Sequence, residues 1–203
     1  MKRQAVLGFA FLLGVTGFAA LCRADAVVGQ QAPGFSLKDS TGQARSLSEF
    51  AGKYVVLEWF NPDCPFVRKH YGSGNMQRLQ ETYTGKGVAW LSINSAAENK
   101  QGRMTPEQAQ AFIKDRGAFS TAVLLDWDGS VGRLYGAKTT PHMFVIDPQG
   151  KLIYAGAIDD KPSIEVEDVK TAKNYVAQAL NESMSGKSVS VPETKSYGCS
   201  VKY

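Results

Sequence analysis

The strongest constraint on the fold is the run Tyr54-Val-Val-Leu-Glu-Trp-Phe60, which ends just before Asn61-Pro-Asp-Cys64-Pro65. Six residues that are β-branched, aromatic or aliphatic, broken by one acid, read as a strand buried on both faces. Pro65 suits the first position of a helix, where its missing N–H costs nothing. The segment therefore predicts a central strand that turns into a helix, with Cys64 at the junction.

The same alternation continues along the chain. Gln30 to Leu47 reads as an N-terminal extension with a hairpin across Asp39-Ser-Thr-Gly42. After Cys64, Met76, Leu79 and Tyr83 recur at helical spacing, with Gly72 and Gly74 set to weaken or kink the helix. Val88 to Ile93 is a strand. Thr105-Pro-Glu-Gln108 is a helix start, with Thr105 as N-cap and Gln108 closing a capping box. Thr121 to Leu125 is a short strand, and Ser130 to Tyr135 a short helix stopped by Gly136. Met143–Ile146 and Leu152–Ala157 flank Asp147-Pro-Gln-Gly150, a turn sequence, and predict an antiparallel hairpin. Val169, Ala172, Val176 and Leu180 mark one face of a final helix. From Ser185 onward the chain is polar and aperiodic and reads as an extended tail. Strands alternating with helices predict an α/β domain.

The N-terminus is read separately. Met1-Lys2-Arg3 is a basic start, Ala5 to Leu21 is apolar, and Ala24-Asp25-Ala26 is a small-x-small cleavage signal, which together predict a signal peptide over residues 1–26. An uncleaved membrane anchor and lipidation at Cys22 are the competing readings. The expected organisation is a domain over 27–184 and a tail over 185–203. The full chain carries a formal charge of +4; losing Lys2, Arg3, Arg23 and Asp25 brings it near neutrality. No basic cluster suggests nucleic acid, and after signal cleavage no later segment is long and apolar enough for stable membrane insertion.

Of three cysteines, Cys22 leaves with the signal, so Cys64 and Cys199 remain. In an oxidising compartment such a pair often forms a structural bridge. The alternative is chemistry at Cys64, because a thiol at a helix start faces the positive end of the helix and is favoured as thiolate. Arg68 adds to that field and Asp63 opposes it. Thr139-Thr140-Pro141 precedes a strand, a place for either an edge proline or a cis peptide. A metal site built from Cys64, Cys199 and His142 is a weaker reading, since its spacing matches no metal motif, and no cofactor is expected. His70 reads as a helix-surface or packing residue and His142 as a loop residue. Glu98, Asp126 and Asp128 read as solvated acids.

The order of elements, with a cysteine at a helix start and Thr-Pro before a strand hairpin, resembles the thioredoxin superfamily. Trp59-Phe-Asn-Pro-Asp-Cys64-Pro-Phe-Val67 is similar to its active-site segment. The resemblance implies a thioredoxin-like fold, with a central mixed sheet flanked by helices. It implies that Cys64 is the nucleophile, that Val67 stands where a second cysteine would be, and that Glu58 lies near the buried acid that assists proton transfer. It also implies that Thr140-Pro141 is the cis-proline loop beside the active-site sulfur, which pairs with substrate backbone.

Within the superfamily, Cys64-Pro-Phe-Val67, His70-Tyr71, Ile93-Asn-Ser95, Ile158-Asp-Asp160 and Gly198-Cys199-Ser-Val-Lys-Tyr203 resemble a peroxiredoxin-like subgroup of the alkyl hydroperoxide reductase/thiol-specific antioxidant (AhpC/TSA) family. That group places a peroxide-binding threonine where this chain has Asn61. The resemblance implies a thiol-dependent oxidoreductase acting on a peroxide or on a protein or small-molecule disulfide, and the N-terminal signal predicts that it is exported, to a bacterial periplasm. Cys199 would resolve the intermediate and an external dithiol would reset the pair. A non-catalytic binding module with a structural Cys64–Cys199 bridge, and a copper-handling protein, are the competing functions.

Overall fold

A computed structural model describes residues 26–203. The signal segment read over residues 1–26 lies outside the described residues, Ala26 excepted. Among the described residues no helix is long and apolar enough to cross a membrane.

The elements in chain order are β1 (Ser36–Asp39), β2 (Ala44–Ser46), β3 (Val55–Trp59), α1 (Pro65–Gly72), α2 (Asn75–Thr84), β4 (Ala89–Asn94), α3 (Pro106–Arg116), β5 (Ala122–Leu125), α4 (Ser130–Leu134), β6 (Thr139–Thr140), β7 (His142–Ile146), β8 (Leu152–Gly156), α5 (Tyr175–Met184) and β9 (Cys199–Ser200). Seven strands form one mixed sheet in the order β2-β1-β5-β4-β3-β7-β8, and β6 pairs with β9 apart from it. β3, β4 and β5 are parallel, joined by helical crossovers; β7 runs antiparallel to β3, and β1 antiparallel to β5.

β3 is the centre of the molecule, and all five of its residues are buried. Its period of two divides them between two cores. Val55, Leu57 and Trp59 face a core closed by α4, Phe50 and Tyr135. Val56 faces the other, filled by Val67 and Tyr71 of α1, Met76, Leu79 and Tyr83 of α2, and Val176, Ala179 and Leu180 of α5. The same alternation turns Glu58 toward this second core, where it is fully buried.

Several elements form for the reasons legible in their residues. Thr105 caps α3 by accepting from Gln108 N, Gln108 closes the capping box, and Pro106 sits in the first turn. The hairpin β1–β2 turns where Asp39 Oδ1 accepts from Thr41 N at 2.8 Å and Gln43 N at 3.1 Å. Gly136 ends the α4 segment at φ +62°.

Three expectations need correction. The helix after Cys64 is two helices, because Gly74 takes φ +71° and starts α2 afresh. The last helix begins only at Tyr175, where the Asn174 side chain accepts from Ala177 N at 2.8 Å; Val169 lies in a separate 3-10 turn, Val166–Lys170, and Ala172 in the connection after it. Asp126 is not solvated but buried: it accepts from Ser95 Oγ at 2.6 Å and from the N–H groups of Val131 and Gly132 at 3.1 and 2.8 Å. The first turn of α4 needs an acceptor for its orphan N–H groups, and a strand-end carboxylate supplies it. Glu98 and Asp128 are exposed, as read.

The segment after α5 is also more than an extended tail. Thr194 N donates to Ala155 O at 3.1 Å and Ala155 N to Pro192 O at 3.1 Å, which lays the chain beside β8. Thr194 Oγ1 accepts from Ala157 N at 2.9 Å and bonds the Tyr154 hydroxyl at 2.7 Å. From there the chain crosses to β6 as a strap. Docking here depends on backbone pairing and a few side-chain anchors, which hydrophobic periodicity does not report.

Replacing Asp126 with Ala strands the Ser95 hydroxyl and two helix N–H groups in the interior. The expected loss is about 3 kcal/mol, read as a lower urea midpoint at unchanged slope.

Candidate active site

Cys64 is the residue preceding α1, with φ −72° and ψ 124°, and Pro65 follows as the first helical residue. The approach is shaped by Asn61, whose Oδ1 accepts from Asp63 N at 2.8 Å while its carbonyl accepts from Cys64 N at 3.1 Å. The helix then opens with Arg68 N donating to Cys64 O at 2.9 Å. Cys64 is only 2% exposed.

Two remote segments converge on this sulfur. The first is β6, which ends in a cis Thr140–Pro141 peptide. As a neutral thiol, Cys64 Sγ donates to Thr140 O at 3.0 Å. The second is β9, whose antiparallel register pairs Cys199 with Thr140 and Ser200 with Thr139. Gly198 allows this approach: at φ +132°, a Cβ there would stand 2.1 Å from Thr140 O. The pairing sets Cys199 opposite Thr140, the residue whose carbonyl Cys64 Sγ contacts, and so brings the two cysteines together. Both cysteines are free thiols, Cys64 buried and Cys199 half-buried.

The two thiols are unequal. Burial opposes ionisation of Cys64, but hydrogen bonds from the Cys199 and Thr140 side chains and from the Val67 and Cys199 amides outweigh it, holding the thiol below its ordinary value. Cys199 is pushed up to about 11, first by burial and then by its hydrogen bond and charge interaction with Cys64. Cys64 is thus the more acidic thiol of the pair and Cys199 the less acidic. Arg68 and Asp63 form an exposed ion pair at 3.1 Å and largely cancel one another.

Of the remaining candidates, Glu58 and Asn61 are engaged elsewhere. Glu58 accepts from Trp90 Nε1 at 2.8 Å, Ser92 Oγ at 2.9 Å, Tyr71 Oη at 3.0 Å and Gln80 Nε2 at 3.2 Å. Burial raises its pKa against those four hydrogen bonds. The Asn61 amide nitrogen donates to Gln101 O at 3.0 Å, and a Cβ on Gly102 would stand 1.9 Å from Asn61 Oδ1. Asn61 therefore braces the 101–102 loop as well as the turn before Cys64.

Neither histidine turns to the thiols. His142 is not a loop residue but the first residue of β7, buried and paired with Trp59, and its Nδ1 accepts from Lys138 N at 3.2 Å. His70 is buried in α1 beside Tyr197 and Asp159. Among the described residues no three His, Cys, Asp or Glu side chains form a group able to hold a metal ion. What sequence reasoning missed is the second support of the strap. Tyr203 Oη donates to Ala137 O at 2.8 Å, and its ring lies against Gly132 and the Arg133 guanidinium. The aromatic ends of the Tyr197-to-Tyr203 segment were the available signal.

Comparison with known proteins agrees with this architecture. The model of the AhpC/TSA family matches residues 28–155. The thiol-disulfide oxidoreductase ResA of Halalkalibacterium halodurans is 26% identical over 150 residues, 74% of this chain and 77% of that one. A solved structure of an uncharacterized conserved protein from Geobacillus kaustophilus superimposes with a TM-score of 0.75 at 26% identity, covering 87% of this chain and 92% of that one. A putative thiol:disulfide interchange protein DsbE from Chlorobium tepidum gives a TM-score of 0.53 at 29% identity, over 64% and 85%. The fold is thioredoxin-like, and the chain is similar to thiol-disulfide oxidoreductases.

Cys199 helps to hold the Cys64 pKa down, and Cys199→Ala removes that neighbour. The pH midpoint of Cys64 alkylation by iodoacetamide is expected to move upward, with the rate at neutral pH falling severalfold.

Proposed function

The chain belongs to the AhpC/TSA family, and from that premise we propose that it is an exported thiol-disulfide oxidoreductase with Cys64 as nucleophile and Cys199 as resolving cysteine. The observation that carries the reading is the β6–β9 pairing, which sets Cys199 opposite Thr140 while Cys64 Sγ contacts the Thr140 carbonyl at 3.0 Å, and so brings together two free thiols from segments 135 residues apart in the chain.

The Cys64 thiolate attacks one sulfur of a substrate disulfide. A mixed disulfide forms on Cys64, and the other substrate sulfur leaves as a thiolate that takes a proton from water. Cys199 then loses its proton and attacks the Cys64 sulfur, forming the Cys64–Cys199 bond and expelling the second substrate thiolate. The substrate gains two electrons, the protein loses two, and an external dithiol returns them. Thr140 and Pro141 line the sulfur. Asn61 and Glu58 act by holding the turn and the strand that carry Cys64.

Asn61 is engaged in bracing the turn and the 101–102 loop, its Nδ2 donating to Gln101 O and its Oδ1 accepting from Asp63 N, which supports a positioning role over that of a peroxide-binding threonine. The unequal acidity of the thiols supports a redox pair over a structural bridge. Export is supported by the basic start, apolar run and cleavage signal of the N-terminus.

The test treats the reduced protein separately with oxidised glutathione and hydrogen peroxide. Wild type should form a Cys64–Cys199 disulfide faster with the disulfide. Cys199→Ser should accumulate a stable mixed disulfide on Cys64, and Cys64→Ser should lose the fast reaction. A faster reaction with peroxide would mark a thiol peroxidase instead. A Cys64 no faster than a free thiol of the same pKa would end the enzyme reading.

A further inference from the structure

Three motifs that stand out in the sequence, His70-Tyr71, Ile158-Asp-Asp160 and the Gly198-Cys199 tail, have no part in the chemistry above, apart from Cys199 itself. They meet at the hydroxyl of Tyr197, two residues before Cys199. Tyr197 Oη donates to Asp159 Oδ1 and lies 3.2 Å from His70 Nε2. Asn75 Nδ2 lies 2.9 Å from His70 Nδ1.

The partners fix the directions of these bonds. Burial, with the Lys69 charge adding, lowers the His70 pKa to about 3, so the imidazole is neutral at physiological pH. With Asn75 donating to Nδ1, the ring proton is on Nε2 and points to the Tyr197 oxygen, whose own proton goes to Asp159. The 3.9 Å approach of His70 to Asp159 Oδ2 is therefore not an ion pair. His70 is fully buried and Asp159 is 2% exposed. The Tyr197 ring packs on Phe66 at 5.8 Å and under the Lys69 ammonium at 5.7 Å, and that ammonium donates to Lys161 O at 2.8 Å.

Phe66, Lys69 and His70 all belong to α1, the helix that begins immediately after Cys64. One rigid element therefore carries the nucleophile at its start and grips Tyr197 along its side. Two residues of chain reach at most about 7 Å, so the anchor limits where the Cys199 sulfur stands relative to Cys64.

We propose that Tyr197 is the positioning residue for Cys199: its hydroxyl, held by Asp159 and His70, sets the approach of Cys199 to Cys64 and with it the rate at which a mixed disulfide is resolved. The inference rests on the reading of Cys199 as the resolving cysteine. It assigns no contact between Tyr197 and the substrate. A resolving thiol held in register acts at high effective concentration, and that concentration falls when the holding group is lost.

The experiment uses Tyr197→Phe in the full chain, which keeps the ring contacts and removes the hydroxyl. Reduced protein is mixed with oxidised glutathione, quenched in acid at intervals, and the glutathione adduct on Cys64 and the Cys64–Cys199 disulfide are quantified by mass spectrometry. Adduct formation should stay within twofold of wild type. Its resolution should slow tenfold or more, and the equilibrium of the protein disulfide with glutathione should shift toward the adduct by a similar factor. Asp159→Ala, which removes the acceptor of the Tyr197 hydroxyl, should give the same separation of the two steps, and the double variant should be no slower than the slower single one. Tyr83→Phe, which removes a hydroxyl bonded to Ala177 O and Asn181 Oδ1 in α5, controls for general loss of stability and should leave both steps unchanged.

Resolution at the wild-type rate in Tyr197→Phe, or equal slowing in Tyr83→Phe, would overturn the proposal. Failure of the wild type to form a Cys64–Cys199 disulfide would instead remove the functional reading on which it rests.

Discussion

The site depends on one short backbone pairing, β9 against β6. Two residues on each side suffice because everything around them is already held. β6 leads directly into β7, a buried neighbour of the central strand, so the Thr140 carbonyl sits in a fixed place beside Cys64. The strap is tied at Thr194, Tyr197 and Tyr203, and its neighbouring backbone is matched by Val201 N to Lys138 O at 3.1 Å and Ala97 N to Lys202 O at 2.8 Å. Between these ties Cys199 has little freedom. The higher pKa of Cys199 follows from its burial and from its closeness to Cys64.

The pairing also governs access. The edge of β6 is covered by the chain's own tail, and Cys64 lies under it with almost no exposed surface. A bulky partner that uses this edge must first displace the strap, whereas a small one needs only a path to the sulfur. Glu58, next to Trp59 in the central strand, is fully buried. Its four donors close a buried cage linking β3, β4, α1 and α2. A satisfied buried acid of this kind specifies how the layers register.

Most of the fold was legible because its elements obey local rules. The β3 run, the Thr105 capping box, the Asp147–Gly150 turn and proline after Cys64 each bias one structure regardless of surroundings, and each is found. Boundaries were misread where a backbone detail decided them, as at Gly74 and Asn174. Asp126 was misread because its burial is imposed by the start of α4, which composition does not reveal. Cys64 was legible as a helix-start thiol. The positions of Cys199, Tyr197 and Tyr203 were not, because they depend on tertiary contacts between residues up to 135 positions apart, and the strap has no periodicity to announce that it docks.

The claim that docking of the strap creates the redox pair is tested most directly at Gly198. Its φ of +132° and the 2.1 Å between a built Cβ and Thr140 O leave no room for alanine. The measurement is the equilibrium of the Cys64–Cys199 disulfide with glutathione in Gly198→Ala, beside Gly186→Ala as a control at a positive-φ glycine with open space around it. The account predicts that the effective concentration of Cys199 at Cys64 falls a hundredfold or more in Gly198→Ala and is unchanged in Gly186→Ala. A Gly198→Ala protein that closes the disulfide as readily as wild type would contradict it.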